Sequence, residues 1–430
     1  MQRPIIVVFL VALLLLAACD QAPVEGPAGP AGPQGPPGPA GATGEPGPPG
    51  APGEPGVSFE TAQFVGSDAC AQCHEGIYDE FQLSGHPWQL TPVVDGAPPD
   101  YPFTQLPGPP EGYEWSDISY VIGGYNWKAL FLDEEGYIIT GDDEEATTQY
   151  NLENEVIGAR GDWGSYHAGE ANVSYECGSC HTTGFSSRGQ QDDMPGIAGA
   201  WAMPGVQCEA CHGPGSLHVN APRSFDMTVS RDAESCTSCH VRGNLDEVTV
   251  ADGFIQHHEE YGDLFQSKHL VLDCVDCHDP HGGVVQYRQR GEETTRIDCE
   301  SCHFEVARFQ DNPIHERISI DCVDCHMPRP IVNATGDSEG FTGDVRTHIV
   351  AIDPFQISQF TEMEDGETVV HPRIALDFAC RSCHNPDGLG LPKTDEQLLE
   401  TAINYHTPPE GAELPAEPPP EPEPEETPTP

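Results

Sequence analysis

Cys70-Ala-Gln-Cys73-His74 sets a pattern that the chain repeats at Cys177/Cys180/His181, Cys208/Cys211/His212, Cys236/Cys239/His240, Cys274/Cys277/His278, Cys299/Cys302/His303, Cys322/Cys325/His326 and Cys380/Cys383/His384. Sixteen of the 17 cysteines fall in these pairs, and a histidine follows every pair at once. A zinc knuckle or a disulfide framework would use the thiols but has no need of the adjoining imidazole. Two thioether bonds to the two vinyl groups of one porphyrin, with the next residue's imidazole turned onto the iron, account for both the spacing and the histidine. The sequence therefore reads as eight c-type haem attachment motifs.

Each such iron wants a second axial ligand, and the histidine supply meets the demand. Of 19 histidines, eight belong to the motifs. Of the rest, His86, His167, His218, His257, His258, His269, His281, His315, His348 and His371 are the candidate distal ligands, with His257 and His258 adjacent in sequence. His406, at the edge of a Pro-rich tail, reads as a bystander. Bis-histidine haems of low reduction potential are the expectation, because a Met/His pair would raise the potential.

Outward from the motifs, the chain changes character at both ends. Residues 1–18 combine Arg3, an apolar run from Ile5 to Leu16 and Ala17-Ala18 before Cys19, the one cysteine outside a motif. This pattern reads as a lipoprotein signal with Cys19 as the lipidated residue. An ordinary secretory signal is the alternative, and the apolar run is too short to span a bilayer comfortably. Glycine then occupies every third position from Gly26 to Gly56. Only glycine fits the axis of a collagen triple helix, and the intervening prolines pre-set the polyproline geometry. Residues 19–57 are thus expected to form a lipidated start and a stalk, either a homotrimeric triple helix or a stiff monomeric spacer. At ~3.1 Å per residue it would reach roughly 90 Å. Residues 407–430 are acidic and Pro-rich, a composition that resists folding.

Between these ends, residues 58–406 are expected to form one haem-packed domain. Pro92, Pro98, Pro99, Pro102, Pro107, Pro109 and Pro110 make the stretch before Gly112 loop-like. From Ile118 to Thr140, β-branched and aromatic residues around Glu135-Gly136 predict a hairpin or small sheet. Trp115, Trp127 and Trp163 are expected in ordinary core packing. Six motifs crowded into residues 177–326 leave room for one short helix and a loop each, and a helix is expected over Thr394–Asn404. The fold class predicted is mostly α with extensive loops and a small β insertion, organised by covalent haem.

Seventy acidic residues against 18 basic ones give a formal charge of -52. Nucleic acid is an implausible partner for such a field, whereas a basic redox partner, an extracellular cation or mineral acceptor, or simple solvation all agree with it.

The blocks CAQCHEGIYDEFQLSGH (residues 70–86), YVIGGYNWKALFLDEEGYIITG (120–141), CGSCHTTGF (177–185), VQCEACHGPGSLH (206–218), KHLVLDCVDCHDPHGG (268–283) and DCVDCHMPRP with GDVRTH (321–330 and 343–348) resemble multihaem c-type cytochromes. The likeness is to the nitrifier tetrahaem type, related to hydroxylamine oxidoreductase, the pentahaem nitrite reductases and octahaem tetrathionate reductase. The resemblance implies a helical, loop-rich fold with haems in close parallel and perpendicular pairs. It also implies distal-ligand roles for His86, His218, His281 and His348, often toward a haem other than the nearest in sequence.

Two functions follow from this reading. One is electron transfer through eight haems between membrane or periplasmic donors and an extracytoplasmic acceptor, by a lipid-anchored protein of the periplasm or cell surface whose haems or stalk support oligomers. The alternative is an oxidoreductase of small nitrogen or sulfur compounds such as nitrite, hydroxylamine or tetrathionate. The relatives that reduce nitrite or tetrathionate use a Lys-ligated catalytic haem, and no CxxCK occurs here. The carrier reading is preferred, and no residue is assigned a catalytic role.

Overall fold

The computed structural model describes residues 62–406 apart from 228, 242–247, 257–259, 266, 308–312, 364–365 and 367. The signal, the stalk, Cys19, the tail, His257 and His258 lie outside the described residues. No helix among the described residues is long and apolar enough to cross a membrane.

A helix, α1 (Ser67–Gln82), carries the first motif. The chain then enters an antiparallel sheet of seven strands: β1 (Leu90–Pro92), β2 (Ile118–Gly123), β3 (Lys128–Asp133), β4 (Tyr137–Ile138), β5 (Gln149–Asn151), β6 (Asp162–Gly164) and β7 (Val173–Ser174). The hairpin expected around Glu135-Gly136 is present as β3 and β4. Asp133 Oδ1 accepts the Glu135 and Tyr137 amides, and Gly136 takes the positive φ of 83° that the turn requires. The sheet is larger than that hairpin because the preceding turn, through Gly124 and Trp127, first folds β2 onto β3. Val121 then opposes Phe131 and Ile122 opposes Leu130.

With side chains alternating across the pleat, both faces of this sheet are buried. Tyr120, Ile122, Leu130 and Leu132 pack with Leu90, Tyr175, Ile197 and Trp201 on one side. Val121, Ala129 and Phe131 pack with Trp115 and Trp163 on the other. Those two tryptophans serve the core as expected. Trp127 does so in a smaller cluster around Ile255, Ile331 and Val345. Of the Pro-rich loop, Leu90–Pro92 is strand, paired through Leu90 opposite Ile122.

Beyond Cys177 the helices are short, as the motif spacing predicts. They include α2 (Val284–Arg290), α3 (Glu300–Ala307), α4 (Cys322–His326) and α5 (Asp395–Asn404). Thr394 caps α5, accepting the Gln397 amide while the Gln397 side chain accepts the Thr394 amide. Helix accounts for 29% and strand for 17%, so the mostly α expectation is met only in part. Small antiparallel sheets share the architecture with short helices because the long interval between the first two motifs is free to build an apolar sheet.

Candidate haem-binding sites

Most of the motifs begin a short helix or lie inside one. The identical segments Asp273–His278 and Asp321–His326 show how the sequence achieves this. The first Asp caps the turn, and the Asp three residues on (Asp276, Asp324) accepts the cap's own amide at 2.9 and 3.0 Å. This capping box was readable in the sequence as an acid before each motif and another inside it. Glu209, the spacer residue of the third motif, is buried and accepts the amides of Val65, Gly66 and Gly215 at 3.0, 2.8 and 2.6 Å. It ties the segment before α1 to that motif.

The eighth motif is built differently. Cys380 lies in a widened, π-type turn over Asp377–Arg381, whereas Cys383, the other expected thioether position, and His384 fall beyond its end. Backbone bonds still hold the spacing. The Cys383 and His384 amides donate to the Cys380 carbonyl at 3.2 and 3.0 Å, and the Cys383 carbonyl accepts the Gly390 amide at 2.8 Å. Cys383 therefore stands on an ordered turn without belonging to a helix. No disulfide joins the cysteines among the described residues, from Cys70 and Cys73 through to Cys380 and Cys383.

The fold brings seven motif histidines beside a second histidine, with ring planes that run from nearly parallel (His212 and His281, 10°) to nearly perpendicular (His303 and His269, 86°). Ring centroids are 6.3 Å apart for His74 and His218, 6.4 Å for His240 and His86, and 6.3 Å for His212 and His281. They are 6.2 Å apart for His278 and His348, 5.7 Å for His303 and His269, 6.0 Å for His326 and His406, and 6.1 Å for His384 and His315. An imidazole nitrogen binds a transition metal at ~2 Å and stands roughly 1.1 Å from its ring centre, so two rings sharing one metal ion lie about 6 Å apart. The observed separations fit an iron between each pair.

The ring nitrogens are oriented to match. Nδ1 meets a backbone carbonyl in His181 (Gln89, 3.0 Å), His218 (Phe225, 2.6 Å), His326 (Val350, 2.9 Å) and His384 (Leu391, 2.8 Å). A carbonyl can only accept, which places the proton on Nδ1 and leaves the Nε2 lone pair for a metal. In His315 the Nδ1 partner is the Tyr405 hydroxyl at 2.7 Å. Burial, followed by the nearby His240, holds His86 down at about 4, so its ring is neutral at physiological pH.

The sequence-predicted residues divide accordingly. His86, His218, His269, His281, His315 and His348 each meet a motif histidine. His406, read as a bystander, is brought to His326 by the return of α5. His167 instead pairs with Glu170 at 3.0 Å. His371 faces the Arg373 carbonyl at 3.1 Å and Asp353 at 3.7 Å. The signal that could have found His406 is the capped helix before it, which fixes where it lands.

The motifs also meet one another. Thiols contact between Cys70 and Cys208, Cys180 and Cys239, Cys236 and Cys274, and Cys299 and Cys322. Cys211 lies near Cys236, Cys277 near Cys302, and Cys325 near both Cys380 and Cys383. These proximities order the motifs as first, third, fourth, fifth, sixth, seventh and eighth in a row, with the second joining at the fourth. Apolar side chains stand uncovered beside them, Val271 81% exposed, Phe304 56% and Leu391 84%. A cavity of about 320 Å³ lined by Tyr261, Phe265, Leu270 and Leu272 adjoins Asp273, next to Cys274. Porphyrin faces suit such surfaces, and the donor set, spacing and lining together fit c-type haem.

A model of the family described as cytochrome c554 and c-prime matches residues 147–213. A cytochrome match over the stretch holding the motifs at Cys177 and Cys208 supports covalent c-type haem as the cofactor. No curated protein matches the chain in sequence. The outer cell wall cytochrome OcwA is similar in structure, with TM-score 0.49, 18% identity, and coverage of 79% of this chain and 86% of that one. The fold is also similar to the Wolinella succinogenes octaheme sulfite reductase MccA, with TM-score 0.53, 18% identity, and coverage of 79% and 69%. Joined to the motifs and the paired imidazoles, this last likeness leads to one statement of kind: the chain has the fold of a multihaem cytochrome.

Proposed function

We propose that this chain is an electron conduit that holds eight c-type haems, one per CxxCH motif, mainly with two axial histidines each. The observation that carries the reading is the set of seven imidazole pairs at iron-spanning distance, drawn from parts of the chain far apart in sequence. His74 and His218 belong to the first group, His240 and His86 to the fourth, and His212 and His281 to the third. His278 and His348, His303 and His269, His326 and His406, and His384 and His315 belong to the fifth, sixth, seventh and eighth. When bound, such groups accept and pass on single electrons at potentials set by axial ligand, hydrogen bonding and burial. The chain's own contribution is to hold the motifs near one another, to fix the Nδ1 protons of His181, His218, His326 and His384 on carbonyls, and to set a second imidazole beside seven of the eight motif histidines, where it would keep added ligands off the iron.

We place the protein outside the cytoplasm, anchored by lipid at Cys19 and lifted by the stalk, with a redox protein or an extracellular acceptor as partner. The excess of acid, 70 residues to 18, supports a cationic partner over an anionic substrate. Low-temperature electron paramagnetic resonance of the oxidised holoprotein, with and without nitrite, sulfite or hydroxylamine, tests this. Low-spin signals indifferent to the additions are expected from the seven irons between paired imidazoles. A high-spin iron that shifts with any of them would turn the assignment toward an oxidoreductase.

A further inference from the structure

A chain with so few basic residues gathers three of its arginines in one place. Arg288 lies on α2, ten residues past His278 of the fifth motif. Arg329 follows the seventh motif, and Arg346 precedes His348. The three stand within electrostatic range of one another. Like charges collected at a half-buried site repel unless an anion joins them.

The carboxylates at hand are already engaged. Asp344 is buried, and its carboxylate accepts the amides of Asn333, Ala334 and Thr335 at 2.7, 2.7 and 3.0 Å, leaving its carbonyl to accept Arg329 at 2.9 Å. Asp324 accepts one Arg346 nitrogen at 2.8 Å while its other oxygen caps α4 through the Asp321 amide. The second Arg346 nitrogen is held by the carbonyls of Val323 and Met327 at 2.7 and 2.8 Å. Arg288 keeps solvent access and makes no ion pair among the described residues. Burial, then Arg346 and Arg288, bring Arg329 down to about 10 although Asp344 and Asp324 pull the other way. Positive charge is thus in excess here, and two of the three guanidiniums are aimed by fixed hydrogen bonds.

We propose that Arg288, Arg329 and Arg346 form a binding site for a carboxylate or small oxyanion, filled by the carboxylate side chains of a haem held at Cys274/Cys277 or Cys322/Cys325. The planar guanidinium fork matches such groups and stays charged at every relevant pH. The haem as source rests on the conduit reading above; a free oxyanion such as sulfate is the other source of the same chemistry.

The test uses the full-length haem-loaded protein and its Arg288→Gln, Arg288→Lys and Arg329→Gln variants. Haem content, spectroelectrochemical midpoint potentials and calorimetric titration with sulfate are read for each. If haem carboxylates fill the site, both Gln variants lower the potential of one or two haems, Arg288→Lys leaves them near wild type, and sulfate gives no saturable heat. If a free oxyanion fills it, sulfate binds wild type one to one and at least ~10-fold more weakly in Arg288→Gln, a loss of about 1.4 kcal/mol. Unmoved potentials in both Gln variants together with no sulfate binding would overturn the proposal. Arg288→Gln breaks no side-chain hydrogen bond among the described residues, so it reports even where Arg329→Gln fails to fold. Haem content below one per motif in wild type would instead overturn the conduit reading, a separate result.

Discussion

Tyr405 and His406 are neighbours in sequence yet touch two different motifs. The tyrosine hydroxyl bonds to Nδ1 of His315, which faces His384, and the next ring faces His326. With iron on Nε2, His315 carries its proton on Nδ1 and donates it to Tyr405, which makes the imidazole a stronger electron donor. Tyr405→Phe is expected to keep that haem low-spin and raise its midpoint potential by roughly 20–60 mV, the one-electron equivalent of a hydrogen bond worth 0.5–1.5 kcal/mol. A redox titration resolved by haem checks it. His406→Ala should convert one haem to high spin, whereas His371→Ala and His167→Ala should leave the resonance spectrum as it was. Much of the clustering was legible in the sequence, because the repeated motifs name the cysteines and histidines that the fold gathers together. His406 was missed because proximity to a disordered-looking tail says nothing about the capped helix that carries it back. His167 and His371 were expected as distal ligands from the abundance of histidine, which does not show that the fold sets their rings beside Glu170 and Asp353.

At the scale of elements, the sheet and the short helices are stabilised differently. Phe131, fully buried at the centre of β3, packs between Trp115 and Trp163. Phe131→Ala should cost about 3–5 kcal/mol in denaturant unfolding, the range for a buried aromatic. The sheet's existence was readable from its β-branched run, but its seven-strand extent was not, since Gln149–Asn151 and Asp162–Gly164 are three-residue strands that each bring one aromatic, Tyr150 and Trp163, onto the core. Near the last motif, Asp377 is buried, and burial raises its pKa although the Gln359 and Phe378 amides donate to it and Arg381 opposes the shift. A carboxyl raised on folding supports the fold fully below its unfolded value and loses that contribution as pH rises through the folded value. Stability is therefore expected to decline through this group as pH increases above about 4, and Asp377→Asn should flatten that limb of the unfolding free energy against pH.

Over the whole molecule, the motif contacts form a row with one side branch, the second motif meeting the fourth through Cys180 and Cys239. Replacing Cys236 and Cys239 by Ala should slow the passage of electrons between the first and eighth motifs. Replacing Cys177 and Cys180 should not, and stopped-flow reduction of the two variants distinguishes them. The charge of -52 acts at the same scale. Reduction by a cationic donor should slow as ionic strength rises from about 0.01 to 0.15 M and the Debye length falls from ~30 to ~8 Å. The imidazole pairs have a further consequence for the order in which the protein can be completed. A ribosome delivers His74 long before His218, and His326 long before His406. Each early ring must wait, one-sided, for a later stretch of chain. Assembly is thus a series of deferred closures, and a chain halted anywhere short of residue 406 leaves at least one of them open.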